Sequence, residues 1–273
     1  MVILMKLTRS FRTLLKTAIL TILAGSSSCA LIAEPAAGAS QYFQQYAART
    51  EARLAIERHA VHMVLPAELA GNTARLRQGE VVIEKLTPAT EVEQNGAMLY
   101  HWRGTAFAPG AKGADFERVM KNFESYPRIF SPQVLRMVVQ SRQGDSTQLT
   151  MRVEQKHVLT VVMDISYSSL FGRVSPVRGF SLSRSTSVHE IENAGRSSEH
   201  VLGHADEHGF LWRQNTYWSW EERDGGLVVQ VESVTLSRAI PTGLGWAIRP
   251  FVETVPRESL EFTLRSTANA LRR

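Results

Sequence analysis

The stretch His208–Ser237, HGFLWRQNTYWSWEERDGGLVVQVESVTLS, decides how the rest of the chain is understood. It holds three of the five tryptophans, and its center, RDGG, is a tight-turn signal between two β-type runs. In a strand, alternate residues share a face. On the first run that rule groups Phe210, Trp212, Trp218 and Trp220, with Gln214 and Thr216 between them. It groups Leu211, Arg213, Asn215, Tyr217, Ser219 and Glu221 on the other side. On the second run Gln230, Glu232, Val234, Leu236 and Arg238 share a face, and Glu232 is within pairing reach of Arg213 across the hairpin. Either face can be the inner one. If the tryptophans point inward they are core or cavity wall; if Arg213, Asn215 and Tyr217 do, they are polar contacts that orient an apolar ligand.

More strands surround this hairpin. GEVVIEKL from Gly79 and MLYHWRGTAFAP from Met98 are β-type. GADFERVMKNFESYP then turns helical, with Asp115 as its cap and Phe116, Val119, Met120 and Phe123 on one face. VLRMVVQS, TQLTMRVEQ, HVLTVVMDISYSS and FSLSRSTSVHEIE continue as a meander of strands. The end is helical again: WAIRPFVETV, an interruption expected at Pro256, then Leu260, Leu264, Ala268 and Leu271 on one face. The fold class is therefore α+β, a curved antiparallel sheet of about six to eight strands gripping a long C-terminal helix.

Three pieces carry a resemblance: FESYPRIFSPQV, YWSWEERDGGLVVQVESVTLS and PTGLGWAIRPFVETVPRESLEFTLRST. In order and flavor they resemble the START-related, SRPBCC-type helix-grip superfamily, which includes lipid-transfer, coenzyme Q-binding and polyketide cyclase-like proteins. The resemblance covers residues 76–273. It implies an apolar ligand, a lipid or isoprenoid-like molecule, held between sheet and terminal helix. The candidate contacts are then Trp102, Trp218 and Trp220 among the aromatics and Arg213, Asn215, Tyr217 and Glu232 among the polar groups. Trp246, in the GLGW turn, belongs at the mouth. Fold by itself does not assign function. Two alternatives stand beside the binding reading. One is a cyclase-like enzyme using His101, Arg213, Tyr217 or Glu232 around the same cavity. The other is a structural or interaction protein whose core is filled by its own side chains.

The leader bounds the location. Residues 1–39 carry Lys6, Arg9, Arg12 and Lys16 against Glu34, then the short apolar run Thr17–Ala24 and small residues. That is the pattern of a signal peptide, cleaner when counted from Met5, with cleavage after Ala39 or Ala30. The expected destination is periplasmic or secreted, with transient membrane contact possible. Cys29, the one cysteine, follows GSSS without the leucine usual three residues before a lipidated cysteine, so a lipoprotein is the less favored form. Of the 31 basic and 26 acidic residues, 27 and 25 lie beyond residue 39, which removes most of the formal +5 charge and with it the argument for nucleic acid. Residues 40–75 form an expected helical extension, with Pro66 ending its helix.

No nucleophile elbow, HExxH motif or phosphate-binding loop is present in the sequence. His200, His204 and His208 recur at four-residue spacing, which would suit a metal on a helix. Gly203 and Gly209 make the segment a loop, so neither a metal nor a cofactor is expected.

Overall fold

The computed structural model describes residues 35–63, 71–156, 160–239 and 245–272, with side chains of 245–253 excepted. Residues 1–34 of the expected signal segment, Pro66 and the side chain of Trp246 lie outside the described part. Helix α1 (Ala37–Glu57) and the short α2 (Thr73–Arg77) precede the first strands, β1 (Val82–Lys85), β2 (Glu93–Gln94) and β3 (Ala97–Pro109). Helices α3 (Gly113–Lys121) and α4 (Tyr126–Ile129) follow, joined by a 3-10 turn. Then come β4 (Val134–Gln143), β5 (Ser146–Lys156), β6 (Thr160–Ser175), β7 (Arg178–Glu192), β8 (His200–Val201), β9 (Arg213–Arg223) and β10 (Gly226–Arg238). Helix α5 (Gly245–Leu271) ends the chain.

The strands make one antiparallel sheet in the order β1-β3-β10-β9-β7-β6-β5-β4, with the two-residue β2 and β8 attached to β3 and β7. The eight strands of the main path match the expected six to eight. The turn RDGG joins β9 to β10, with Asp224 (φ 56°) and Gly225 (φ 77°) both in the left-handed region such a hairpin turn requires.

Helix α5 lies on the concave face. Leu260, Leu264 and Leu271 pack with Ala106 and Ala108 of β3, Trp218 and Trp220 of β9, and Leu227, Val229 and Val231 of β10. Gly104 makes this approach possible, because a β-carbon there would overlap Leu264 Cδ1. Phe116 of α3 closes the same core, its ring 4.9 Å from Trp220 and 5.4 Å from Trp218. Asp115 sits in the first turn of α3, where its carboxylate accepts the Lys112 amide at 3.0 Å.

The expected interruption at Pro256 is not seen. One helix runs through Pro250 and Pro256 from Gly245 to Leu271. Each proline removes one intrahelical donor, but the apolar face from Leu260 onward anchors the helix on the sheet regardless.

The convex face is covered too. Phe43, Tyr46 and Leu54 of α1 pack against Leu99, Leu182, Tyr217, Val234 and Leu236. The center of the sheet is thus buried on both sides, which explains the near-continuous apolar run of β10.

Candidate functional site

The two faces of the aromatic hairpin separate the sequence-derived candidates into two groups. Trp218 and Trp220 are buried on the concave side against α5. Trp102 of β3 packs against the same core and stays partly exposed. Asn215, Tyr217 and Glu232 lie on the convex side, under α1. There Tyr217 donates to Glu51 of α1 (3.1 Å) and Asn215 Nδ2 donates to Tyr217 Oη (3.0 Å). Glu232 binds His101 and Arg53. The expected pairing of Glu232 with Arg213 is therefore replaced. In the register Glu232 faces Tyr217 while Arg213 faces Leu236, and the Arg213 guanidinium donates to the Trp212 carbonyl (2.7 Å).

Trp212 also departs from strict alternation. It packs with Tyr217 and Leu236 on the convex side, because β9 begins only at Arg213 and Trp212 sits in the preceding bend, its amide bonded to Leu236 O at 2.7 Å. Phe210 lies outside the strand as well, stacked on His208.

The convex cluster is a closed polar network. His101 Nε2 is 2.8 Å from Glu232 Oε2 and His101 Nδ1 is 3.1 Å from Tyr46 Oη. An ionized carboxylate only accepts, so Nε2 carries a proton toward Glu232. Arg53 bridges Glu232 to Glu57. Burial pushes the Glu232 carboxyl up, but the His101 hydrogen bond and the charges beside it outweigh that and hold it below its ordinary value. Burial and the Glu91 charge raise the Tyr46 hydroxyl. Glu232 is 1% exposed and His101 3%, so the network ties α1 to the sheet and offers no access to a substrate. Three of the four residues named for the cyclase-like alternative therefore lie on the convex side. His101, Tyr217 and Glu232 point away from the face that holds α5.

The concave face carries a second polar group that sequence reasoning passed over. Tyr167 of β6 donates to Gln214 Oε1 (2.6 Å), and Gln214 Nε2 reaches Ser233 Oγ (3.5 Å). Ser169 and Ser183 pair beside them at 2.7 Å. Ser233 stands opposite Trp102 in the β3–β10 register. The Trp102 indole Nε1 is shielded from solvent and has no hydrogen-bond partner among the described residues. Alternation had already placed Gln214 on the side of Trp218, so a signal existed: two polar residues inside an aromatic face. Burial raises the Tyr167 hydroxyl, which keeps it a donor at neutral pH.

Where β5 finishes, a cavity of about 280 Å³ opens between sheet and helix. Gln133, Gln155 and Lys156 line it from the strand side, and Val255, Ser259 and Phe262 from α5. Ser259 Oγ donates to Gln155 Oε1 at 3.2 Å across it. Farther along, the space between sheet and helix is filled by Trp218, Trp220, Phe116, Leu260 and Leu264. Pro132, Val255 and Phe262 supply the cavity's apolar surface, and Glu154 and Glu258 line it beside the polar residues already named.

No family model matches the sequence, and no curated protein sequence matches it. Solved structures do. The chain is similar to the Zhui aromatase/cyclase from Streptomyces sp. R1128, at 12% identity over 64% of this chain and 94% of that one, TM-score 0.45. It is similar to a STAR-related lipid transfer protein from Xanthomonas axonopodis at 15% identity, over 70% and 99% of the two chains, TM-score 0.42. A START superfamily protein from Mycobacterium smegmatis follows at 14% identity over 63% and 96%, TM-score 0.41. The arrangement expected from the sequence, a curved antiparallel sheet closed on a C-terminal helix, is the arrangement of this chain.

Proposed function

We propose that the protein is an exported binder of an apolar small molecule with one polar end, of lipid or isoprenoid type. The observation that carries this reading is the cavity of about 280 Å³ between β5 and α5, lined by Gln155, Val255, Ser259 and Phe262 among others. That volume falls just below the usual pocket scale, which starts at about 300 Å³. The ligand's apolar body would lie along Phe262 and Val255, and its polar end would accept from the Trp102 indole N–H. Trp218 and Trp220 belong to the packed interior between sheet and helix. In this reading Arg213, Asn215, Tyr217 and Glu232 do not touch the ligand, and Trp246 belongs to the helix beside the mouth.

Export rests on the leader, with its basic residues, short apolar run and small residues. Cleavage after Ala30 fits the fold better than cleavage after Ala39. α1 starts at Ala37 and Ala39 is fully buried, so the later cut would remove the first turn of a packed helix. Among the described residues no helix is long and apolar enough to cross a membrane.

Native mass spectrometry of the protein purified from its own envelope fraction tests the function. A co-purifying apolar molecule that organic extraction removes and re-addition restores is the expected result. A bare chain that takes up no candidate lipid would refute the binding reading.

A further inference from the structure

The loop between β7 and β9, residues 193–212, folds back over the sheet end and brings together residues that lie apart in sequence. His189 of β7, His204 and Glu207 place their donor atoms all within 4.8 Å of one another. His189 Nδ1 is 3.5 Å from Glu207 Oε1, and His204 Nδ1 is 3.7 Å from Glu207 Oε2. Donors bound to zinc at about 2.1 Å stand about 3.4 Å apart at the corners of a tetrahedron. The two imidazoles thus stand near that spacing from the two oxygens of one carboxylate, and one donor atom from each residue lies within 4.8 Å of the others.

The carboxylate is already fixed. Glu207 is 8% exposed, and its Oε1 accepts the backbone amide of Glu190 at 3.3 Å. Its amide and that of Asp206 bond to Gly203 O. The Glu190 carboxylate in turn accepts the amides of His208, Gly209 and Phe210, at 3.0, 2.9 and 3.2 Å. The loop is therefore held around the trio by groups outside it, as an outer shell orients metal ligands. The four-residue histidine spacing is not what forms the cluster. His200 is in β8 beside Glu192 and His208 is bonded to Glu190, so only His204 of that series takes part.

We propose that His189, His204 and Glu207 bind a divalent transition-metal ion of the zinc class, with water completing the coordination. Two imidazoles and a carboxylate suit that class and leave a position open. The ion fastens the 193–212 loop to β7 and is separate from the apolar cavity.

The test is titration of the untagged, metal-stripped chain with zinc by calorimetry, and with cobalt by visible absorption. One ion per chain, with a cobalt d–d spectrum and protection of the loop from limited proteolysis, is expected. His204→Ala, at a largely exposed position, and the nearly isosteric Glu207→Gln are each expected to weaken zinc at least about tenfold while circular dichroism stays unchanged. The proposal is overturned if the chain takes up no zinc at micromolar concentration. It is equally overturned if His204→Ala and Glu207→Gln bind as the parent does, which would place the ion elsewhere.

Discussion

His101 Nε2 meets Glu232 Oε2 at 2.8 Å on the face of the sheet turned away from α5, with Arg53 of α1 on the same carboxylate. The pair joins two central strands to the helix that covers them. Its second oxygen, Oε1, is buried without a partner among the described residues, so the carboxylate's stability depends on His101 and Arg53.

Replacing Glu232 by Gln removes the charge both partners need. The expected cost is about 3 kcal/mol, at the low end for breaking a buried pair because Arg53 keeps Glu57. The pH dependence follows from the lowered carboxyl value. The unfolded group titrates near 4.5 and the folded one below it, so the stabilization is complete above pH 4.5 and is lost as pH falls through the folded value. Urea unfolding of parent and Glu232→Gln should show a constant gap from pH 5 to 7 that narrows in acid. A gap that widens in acid would contradict this assignment.

Tyr217→Phe tests the attachment of α1. The hydroxyl donates to Glu51, which Arg184 also holds at 2.6 and 2.7 Å, and it accepts from buried Asn215. Its loss leaves the Asn215 amide short of an acceptor, and a cost of about 1–3 kcal/mol is expected. Chemical denaturation gives the size, and hydrogen exchange should show the loss concentrated in residues 43–54. Uniform loss of protection would mean that α1 does not open separately.

Gly104 and Leu264 should be strongly coupled. Adding a methyl in Gly104→Ala drives into Leu264 and Ile83, and a cost of about 1–3 kcal/mol is expected. Leu264→Ala, at a fully buried site, should cost about 2–5 kcal/mol. In the double variant the new methyl enters space that the leucine vacated, so the combined loss should fall short of the sum by about 1 kcal/mol or more. Simple additivity would show that the helix does not rest on Gly104.

Much of the fold was legible because strand alternation and the helix face at Leu260, Leu264, Ala268 and Leu271 are local signals. The two-sided burial of the hairpin was harder. Its convex face carries Glu232, Asn215 and Tyr217, which suit either solvent or a cavity, and only the docking of α1 gives them a third environment. The run of valines in β10 was the available clue, since a strand wet on one side alternates more strictly. Trp212 was misplaced because a bend, which periodicity does not register, precedes Arg213. Gln214 and Ser233 were assigned no role because hydrogen bonds to Tyr167, 47 residues from Gln214, exist only in three dimensions.

The unpartnered indole of Trp102 separates function from stability. A buried donor with no acceptor among the described residues carries a desolvation penalty of about 1–3 kcal/mol. Trp102→Phe removes the donor and keeps an aromatic wall. It should leave unfolding free energy unchanged or somewhat higher, within the loss of ring area. Affinity for the apolar ligand extracted from the envelope fraction should fall by about tenfold, equal to one lost hydrogen bond of about 1.4 kcal/mol. Ser259→Trp, which fills the cavity mouth between α5 and Gln155, should abolish binding outright. Displacement of a fluorescent fatty-acid probe measures both. If Trp102→Phe binds as the parent does, the polar end of the ligand is not at Trp102. If Ser259→Trp also binds as the parent does, the cavity beside α5 is not the site.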